Sequence, residues 1–372
     1  MFQFSDSELA RRRTQLLSLA NSLGCEGVWA FGENRSGVAV TYLTEWPVTR
    51  GAVCALTTFG CDLWVSFHNH VPAARRRARV DSVRDMYTGY LDELFATVKP
   101  KTAVGTLGPI PPAVTARAVE HHIALVSLDR DHAILRQRKS AEEVTALELG
   151  SAVSDVAAEA LISACVEGAS DWDLLAAAKN AYTKRGGLDH ICYISVTDMA
   201  RPDRDVPSQF PEGRVLTASS MVTFELSASI VPEYPGQILR TVTLAEPSEH
   251  VIALSGIAET CKAAIKGAMR PGVSARELIA HSMAIESAGY STTDDLFHGF
   301  GMGYLEPIAT STSRVPNHSP DLLLEDGMAI VVQPNVTTSD HTLGVQTGEL
   351  VIVEAEGVRD LHHLPTGLIR AK

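Results

Sequence analysis

Two stretches carry the architecture of this chain: VTFELSASIVPEYPGQILRTVTL, residues 222–244, and FHGFGMGYLEP, residues 297–307. In the first, a β-rich run holds Glu225, a turn follows with Pro232 and Gly236, and a second run passes from Gln237 through Leu239-Arg240-Thr241. That order predicts a hairpin with polar groups on its inner face. In the second, glycines at 299, 301 and 303 surround His298 and Phe300. Glycine lets the backbone approach a ligand closely, and the imidazole then points into the space so formed.

Outward from these stretches, the same local grammar occurs twice. Val166-Glu167-Gly168-Ala169-Ser170-Asp171-Trp172-Asp173-Leu174 and Arg270-Pro271-Gly272-Val273-Ser274-Ala275-Arg276-Glu277-Leu278 each combine a helix end, a glycine stop, a serine N-cap with an acid three residues on, and a second helix. Reciprocal capping accounts for the serine and the acid, and αL geometry for the glycine. β-rich sequence follows each copy, so a duplicated αα-ββ unit folded about a pseudo-twofold axis, enclosing one pocket, is expected. Ser140 with Glu143 opens the long alanine-rich helix that begins this half and runs to about Val166.

Upstream, Ser5 caps a first helix closed by Gly24. Short apolar runs at 27–31, 38–43, 52–56 and 62–67, a helix near 72–79, a segment 90–98 and a strand at 102–105 then make an α/β domain. The expected division is residues 1–134 and 135–372. A length of 372 residues supports two domains, and a 45% hydrophobic fraction is that of an ordinary globular chain. The formal charge of −12 argues against nucleic-acid and anionic-membrane partners, which need a basic face. The cluster Arg75-Arg76-Arg77-Ala78-Arg79 reads as a solvated helix face. Six scattered cysteines without a CxxC, no leader-like N-terminus and no bilayer-length apolar run lead to a cytoplasmic protein with reduced thiols as the expectation.

These residues together resemble the creatinase, prolidase and methionine aminopeptidase family, peptidase M24, with its pita-bread fold. The resemblance rests on Tyr42-Leu43-Thr44, Arg138-Lys139-Ser140 with Glu143, Arg270-Pro271-Gly272, His298-Gly299-Phe300-Gly301 and Leu364-Pro365-Thr366-Gly367-Leu368-Ile369. It implies an α/β N-terminal domain, an α+β pita-bread C-terminal domain and a homodimer. His68 and His70 sit where the creatinase branch contributes residues from a partner subunit, or else are surface histidines. Metal-dependent members hold two divalent ions with two aspartates, a histidine and two glutamates. Position by position, the resemblance puts these on Glu225, Gln237, His298, Gln333 and Gly348. Two of five potential ligands survive, and amides replace carboxylates poorly around hard cations. No metal and no other cofactor is therefore expected.

Glu225, a carboxyl within an apolar strand, must find a partner or shift its pKa upward, as a general acid or base requires. Glu225 and His298 are the catalytic candidates. Gln237, Arg240, Gln333, Tyr234, His341 and Gln346 are the substrate-binding candidates, although the two glutamines could equally bond each other and Arg240 could pair with Glu225. The expected function is a metal-independent, creatinase-like enzyme acting on a C–N bond of a small polar metabolite. A lyase, decarboxylase or isomerase, a non-catalytic binding module and, last, a metal-dependent Xaa-Pro peptidase are the alternatives.

Overall fold

The computed structural model describes residues 2–34, 36–87, 89–312 and 319–371, and the architecture below is that of these residues. The chain divides into two compact units, Gln3–Arg136 and Gln137–Lys372.

The first unit is built on a six-stranded mixed sheet in the order β4-β3-β2-β1-β5-β6, with β1 Val28–Gly32, β2 Ala52–Thr57, β3 Gly60–Val65, β4 Ser82–Asp85, β5 Ala103–Leu107 and β6 Ala124–Ser127. Its helices are α1 Asp6–Ser22, α2 Val38–Thr44, α3 Val71–Arg77, α4 Tyr90–Val98, α5 Pro112–Glu120 and α6 Asp129–Leu135. Ser5 caps α1 by accepting from the Glu8 N–H. The apolar run 38–43 is helical rather than one more strand, because a short helix buried on nearly every side carries the same unbroken apolar signature as a buried strand. His68 is exposed and lies 2.6 Å from the Asp85 carboxylate.

The second unit is built on a nine-stranded sheet. Its helices are α7 Ala141–Ser163, α8 Asp171–Thr183, α9 Glu249–Ala268, α10 Ala275–Ile279 and α11 Met283–Ser287. Its strands are β7 Leu188–Asp198, β8 Ser220–Ser229, β9 Pro235–Thr243, β10 Phe297–Gly299, β11 Leu305–Ala309, β12 Ala329–Val332, β13 Val336–Thr337, β14 Gly344–Val345, β15 Gly348–Glu354, β16 Gly357–Asp360 and β17 Leu368–Arg370. The main path is β11-β10-β12-β15-β9-β8-β7, with β16 on β15 and β17 on β9, while β13 and β14 form a separate ribbon. Capping boxes stand at Ser140/Glu143, Ser170/Asp173 and Ser274/Glu277, so each signal read from the serine–acid spacing marks a helix start. The second copy differs from the first: where α8 is continuous, α10 and α11 are short and separated by the turn Ala280–Ser282, whose buried Ser282 hydroxyl accepts from the Thr312 N–H.

Two cores back the two halves of the sheet. Leu161, Leu174, Phe224, Leu226 and Val242 fill one, beneath α7 and α8, and Leu254, Ile265, Phe297, Ile330 and Val351 fill the other, beneath α9. The hairpin β8–β9 is pinned to α7 by a close backbone approach. A Cβ on Gly236 would overlap the backbone of Ser151, and one on Gly150 would overlap the Tyr234 carbonyl. Only glycine permits this contact, which fixes the depth at which the hairpin carries its polar residues. No described helix is long and apolar enough to cross a membrane.

Candidate active site

Side chains alternate faces along a strand, and that alternation sorts the candidates. On β8, Glu225 faces the pocket and is 8% exposed. On β9, Gln237 faces the same way, and its Nε2 donates to Glu225 Oε1 at 2.7 Å and to Gln333 Oε1 at 3.0 Å. Gln333 follows the last residue of β12, held by its N–H to the Leu296 carbonyl at 2.8 Å. His298, on β10, is fully buried with Nδ1 3.1 Å from the Gly299 carbonyl. A carbonyl only accepts, so Nδ1 carries the proton and Nε2 presents a bare lone pair. The imidazole stacks on Tyr304 at 3.8 Å and meets Phe300 edge-on at 5.6 Å.

Burial sets the protonation states. It pushes Glu225 up to about 8, helped by the negative charges of Asp294 and Asp295. Near neutral pH this carboxyl holds its proton yet lies close to its titration point. Burial also drives His298 down to about 4, against the Gly299 carbonyl and Gln333, which favour the charged ring. The imidazole is thus neutral across the physiological range. Gln237 Oε1, His298 Nε2 and Gln333 Nε2 are buried without hydrogen-bond partners among the described residues. Polar atoms in that condition are uncommon in folded proteins.

Arg240 departs from the substrate-binding role expected of it. One residue out of phase with Gln237 and Leu239, it lies on the opposite face of β9 and is fully buried. Its Nε donates to the Pro365 carbonyl, Nη1 to the carbonyls of Leu239 and Gly348, and Nη2 to the Leu364 carbonyl and Glu349 Oε2, at 2.8–3.2 Å. Nor does it pair with Glu225. Glu349, shared with Lys266 at 2.6 Å, is held down at about 2 by Lys262, Lys266 and Arg240 in spite of its burial. Tyr234 is not at the rim: its hydroxyl donates to Glu143 Oε1 at 2.7 Å, tying the hairpin end to the start of α7. His341 is 56% exposed beside Asp205, with Nδ1 3.3 Å from the Thr293 hydroxyl, one residue from Asp294. Gln346 is buried and neither amide atom has a partner among the described residues. Cys192 is buried and its thiol is pushed up to about 12, which removes it as a nucleophile.

Sequence reasoning missed Tyr304, Asp294, Asp295 and Tyr193. Asp294-Asp295 stands three residues ahead of His298, a signal available in the chain. Tyr193 is the cross-strand partner of Glu225, and that pairing exists only once the register is known.

The five positions do not fit a pair of divalent ions. They offer one carboxyl, one imidazole, two amides and a glycine, and the Gln237 amide turns a donor N–H toward the centre where a cation needs acceptors. Gly348 has no room for a longer side chain, since a Cβ there would stand 2.8 Å from both Gln333 Cβ and Leu239 Cδ1. Among the described residues no group of three or more His, Cys, Asp or Glu is placed to hold a metal.

The family model described as metallopeptidase family M24 matches residues 146–355. An uncharacterized peptidase of Bacillus subtilis (strain 168), YqhT, is 23% identical over 240 residues, 63% of this chain and 65% of that protein. The match therefore spans just under two thirds of that relative's length. Among solved structures, dipeptidase PepE from Mycobacterium ulcerans is similar with a TM-score of 0.80 and 20% identity, covering 100% of both chains. The prolidase from Pyrococcus horikoshii OT3 gives a TM-score of 0.79 and 18% identity, covering 95% of this chain and 99% of the other. The fold is the pita-bread fold. These comparisons correct the expectation of a metal-independent, creatinase-like enzyme acting on a small polar metabolite: the proteins that this chain is similar to are named as a peptidase, a prolidase and dipeptidases.

Proposed function

The chain belongs to metallopeptidase family M24, and from that premise we propose that it is a hydrolase acting on the amide bond of a short peptide, with Glu225 as the group that moves the proton. The names of its relatives and structural neighbours, peptidase, prolidase and Xaa-Pro dipeptidase, support the substrate class. The observation that carries the assignment of roles is the buried carboxyl of Glu225, clasped by Gln237 and poised at about 8.

A carboxyl near its titration point serves both halves of an amide hydrolysis. As carboxylate it accepts a proton from the attacking water, and as acid it returns that proton to the leaving amine. Such transfer contributes on the order of 10²–10⁴ in rate. His298 Nε2, a lone pair in a buried ring, accepts a hydrogen bond from water or from the substrate amine. Gln333 Nε2 donates to the substrate carbonyl, and Gln237 holds Glu225 in place. Gln346 completes the polar lining, while Arg240 anchors β9 from behind. A homodimer and a cytoplasmic location belong to the same proposal; the six cysteines, all buried and unpaired, support the second.

The test is a panel of dipeptides and longer peptides, Xaa-Pro sequences included, assayed from about pH 5 to 9 in both metal-free and divalent-supplemented buffer. Hydrolysis that falls at least about 100-fold in Glu225→Gln, with folding retained, is the expected result. Absence of hydrolysis across the panel, or a variant as active as the parent, overturns the proposal.

A further inference from the structure

Beside β7, the edge strand of the nine-stranded sheet, lies a cavity of about 370 Å³ lined in part by Trp172, Leu175, His190, Cys192, Tyr193 and Phe210. Trp172 is 56% exposed and Phe210 77% exposed. A large exposed aromatic pair flanking a concavity is a recurrent mark of a recognition surface.

The strand edge beside it is open at Cys192. In an antiparallel strand the N–H and C=O of alternate residues point away from the neighbouring strand. Ile194 shows the phase, since it exchanges both bonds with Ser208 at 3.1 and 3.2 Å on the outer side. Val196 follows it, its carbonyl accepting from Arg214 Nη1 at 3.0 Å. Cys192 is the next residue in that phase, and the register with β8 is unbroken from Ile191 onward. Its outward N–H and C=O have no partner among the described residues.

Two residues of the cavity lining neighbour residues of the candidate active site. Tyr193 lies directly across from Glu225, and the His190 ring stands 6.3 Å from Phe300, which packs on His298. From these placements we infer that the groove takes an extended peptide. One residue of that peptide bonds to the open backbone of Cys192 as a short added strand, a side chain seats between Trp172 and Phe210, and the reacting end reaches Glu225. A second copy of this chain fits less well. Pairing between two strands needs an open edge several residues long, whereas Ile194 and the Val196 carbonyl are already occupied and the bulge between Asp189 and Ile191 interrupts the edge on the other side. A peptide backbone needs one N–H and one C=O, the complement offered here.

This inference rests on the peptide-hydrolase reading, and the experiment separates the two. Binding of an alanine-based series from dipeptide to hexapeptide is measured calorimetrically on Glu225→Gln, and turnover of the same series on the wild type. Affinity is expected to rise at least about tenfold between dipeptide and tetrapeptide, as two net hydrogen bonds and a buried aromatic contact imply. Trp172→Ala and Phe210→Ala, both at exposed positions and checked by unchanged melting, should erase that rise. Backbone N-methylation at a single peptide position should erase it too. Dipeptide hydrolysis with no gain from added length overturns the groove and leaves the hydrolase reading. Length-dependent binding without hydrolysis of any peptide does the reverse. Conversion of a dimer to monomers by Phe210→Asp in sedimentation shows a second copy on this edge and also overturns the inference.

Discussion

Glu225→Gln should stabilise the protein as the pH rises, while removing the group that moves the proton. Burial and the two neighbouring aspartates raise this carboxyl from the ordinary 4.5 to about 8 in the folded chain. Below the unfolded value both states are protonated and nothing is lost. Between about 4.5 and 8 the unfolded chain releases a proton that the folded chain keeps, so stability falls with rising pH, and above the folded value the loss is complete. Each pKa unit is worth 1.36 kcal/mol, which makes the cost about 3 kcal/mol at pH 7 and about 5 kcal/mol above pH 8. Against a total stability of roughly 5–15 kcal/mol that is a large share. Glutamine keeps an oxygen to accept from Gln237 Nε2 and has no proton to lose. Urea denaturation of parent and variant at a series of pH values tests the argument. The variant should match the parent within about 1 kcal/mol near pH 4.5 and exceed it by about 3 kcal/mol at pH 7. A stability difference that does not change with pH refutes the reasoning, because it means the carboxyl is ionised in the folded state.

The remaining predictions follow from neighbouring contacts. Asp295→Asn removes one of the negative charges that raise Glu225, so the pH at which Glu225 ionises should move down, visible by following its carboxyl carbon in NMR; an unmoved titration contradicts the coupling. Gly348→Ala pushes a Cβ to 2.8 Å from Gln333 and Leu239 and should cost about 1–3 kcal/mol in denaturation, whereas wild-type stability would mean the pocket floor yields freely. Arg240→Met leaves Glu349 without its guanidinium and strips five bonds from behind β9, so a loss of about 3–5 kcal/mol is expected in the same assay; a variant of normal stability with only a raised KM would return Arg240 to the substrate. Titration of His298 followed by its ring protons should show no midpoint near 6.5, the ring staying neutral down to about pH 4, and an ordinary midpoint counts against its burial.

Much of the second unit was legible in the chain because its signals are local. A capping serine and an acid three residues on act within one turn, and the pairs Ser140/Glu143, Ser170/Asp173 and Ser274/Glu277 each cap a helix. The hairpin at 222–244 follows from two β-rich runs around a Pro/Gly turn. Gln237 hydrogen-bonds both Glu225 and Gln333. The run 38–43 was less legible, since a fully buried short helix and a fully buried strand look alike in hydrophobicity.

By itself the sequence determined the helix starts, the hairpin and the identity of the groups at the five pocket positions, because capping, turn chemistry and residue type act over a few residues or within one. Tertiary structure alone decided which of those groups face one another. The phase of β9 sends Gln237 into the pocket and Arg240 out of it, the register of β7 sets Tyr193 against Glu225, and the fold brings Asp294 and Asp295 close enough to raise a carboxyl about 70 residues away. Strand phase is set by pairing with distant segments, and a pKa by burial and by charges across space. Neither quantity belongs to any residue until the chain has folded around it.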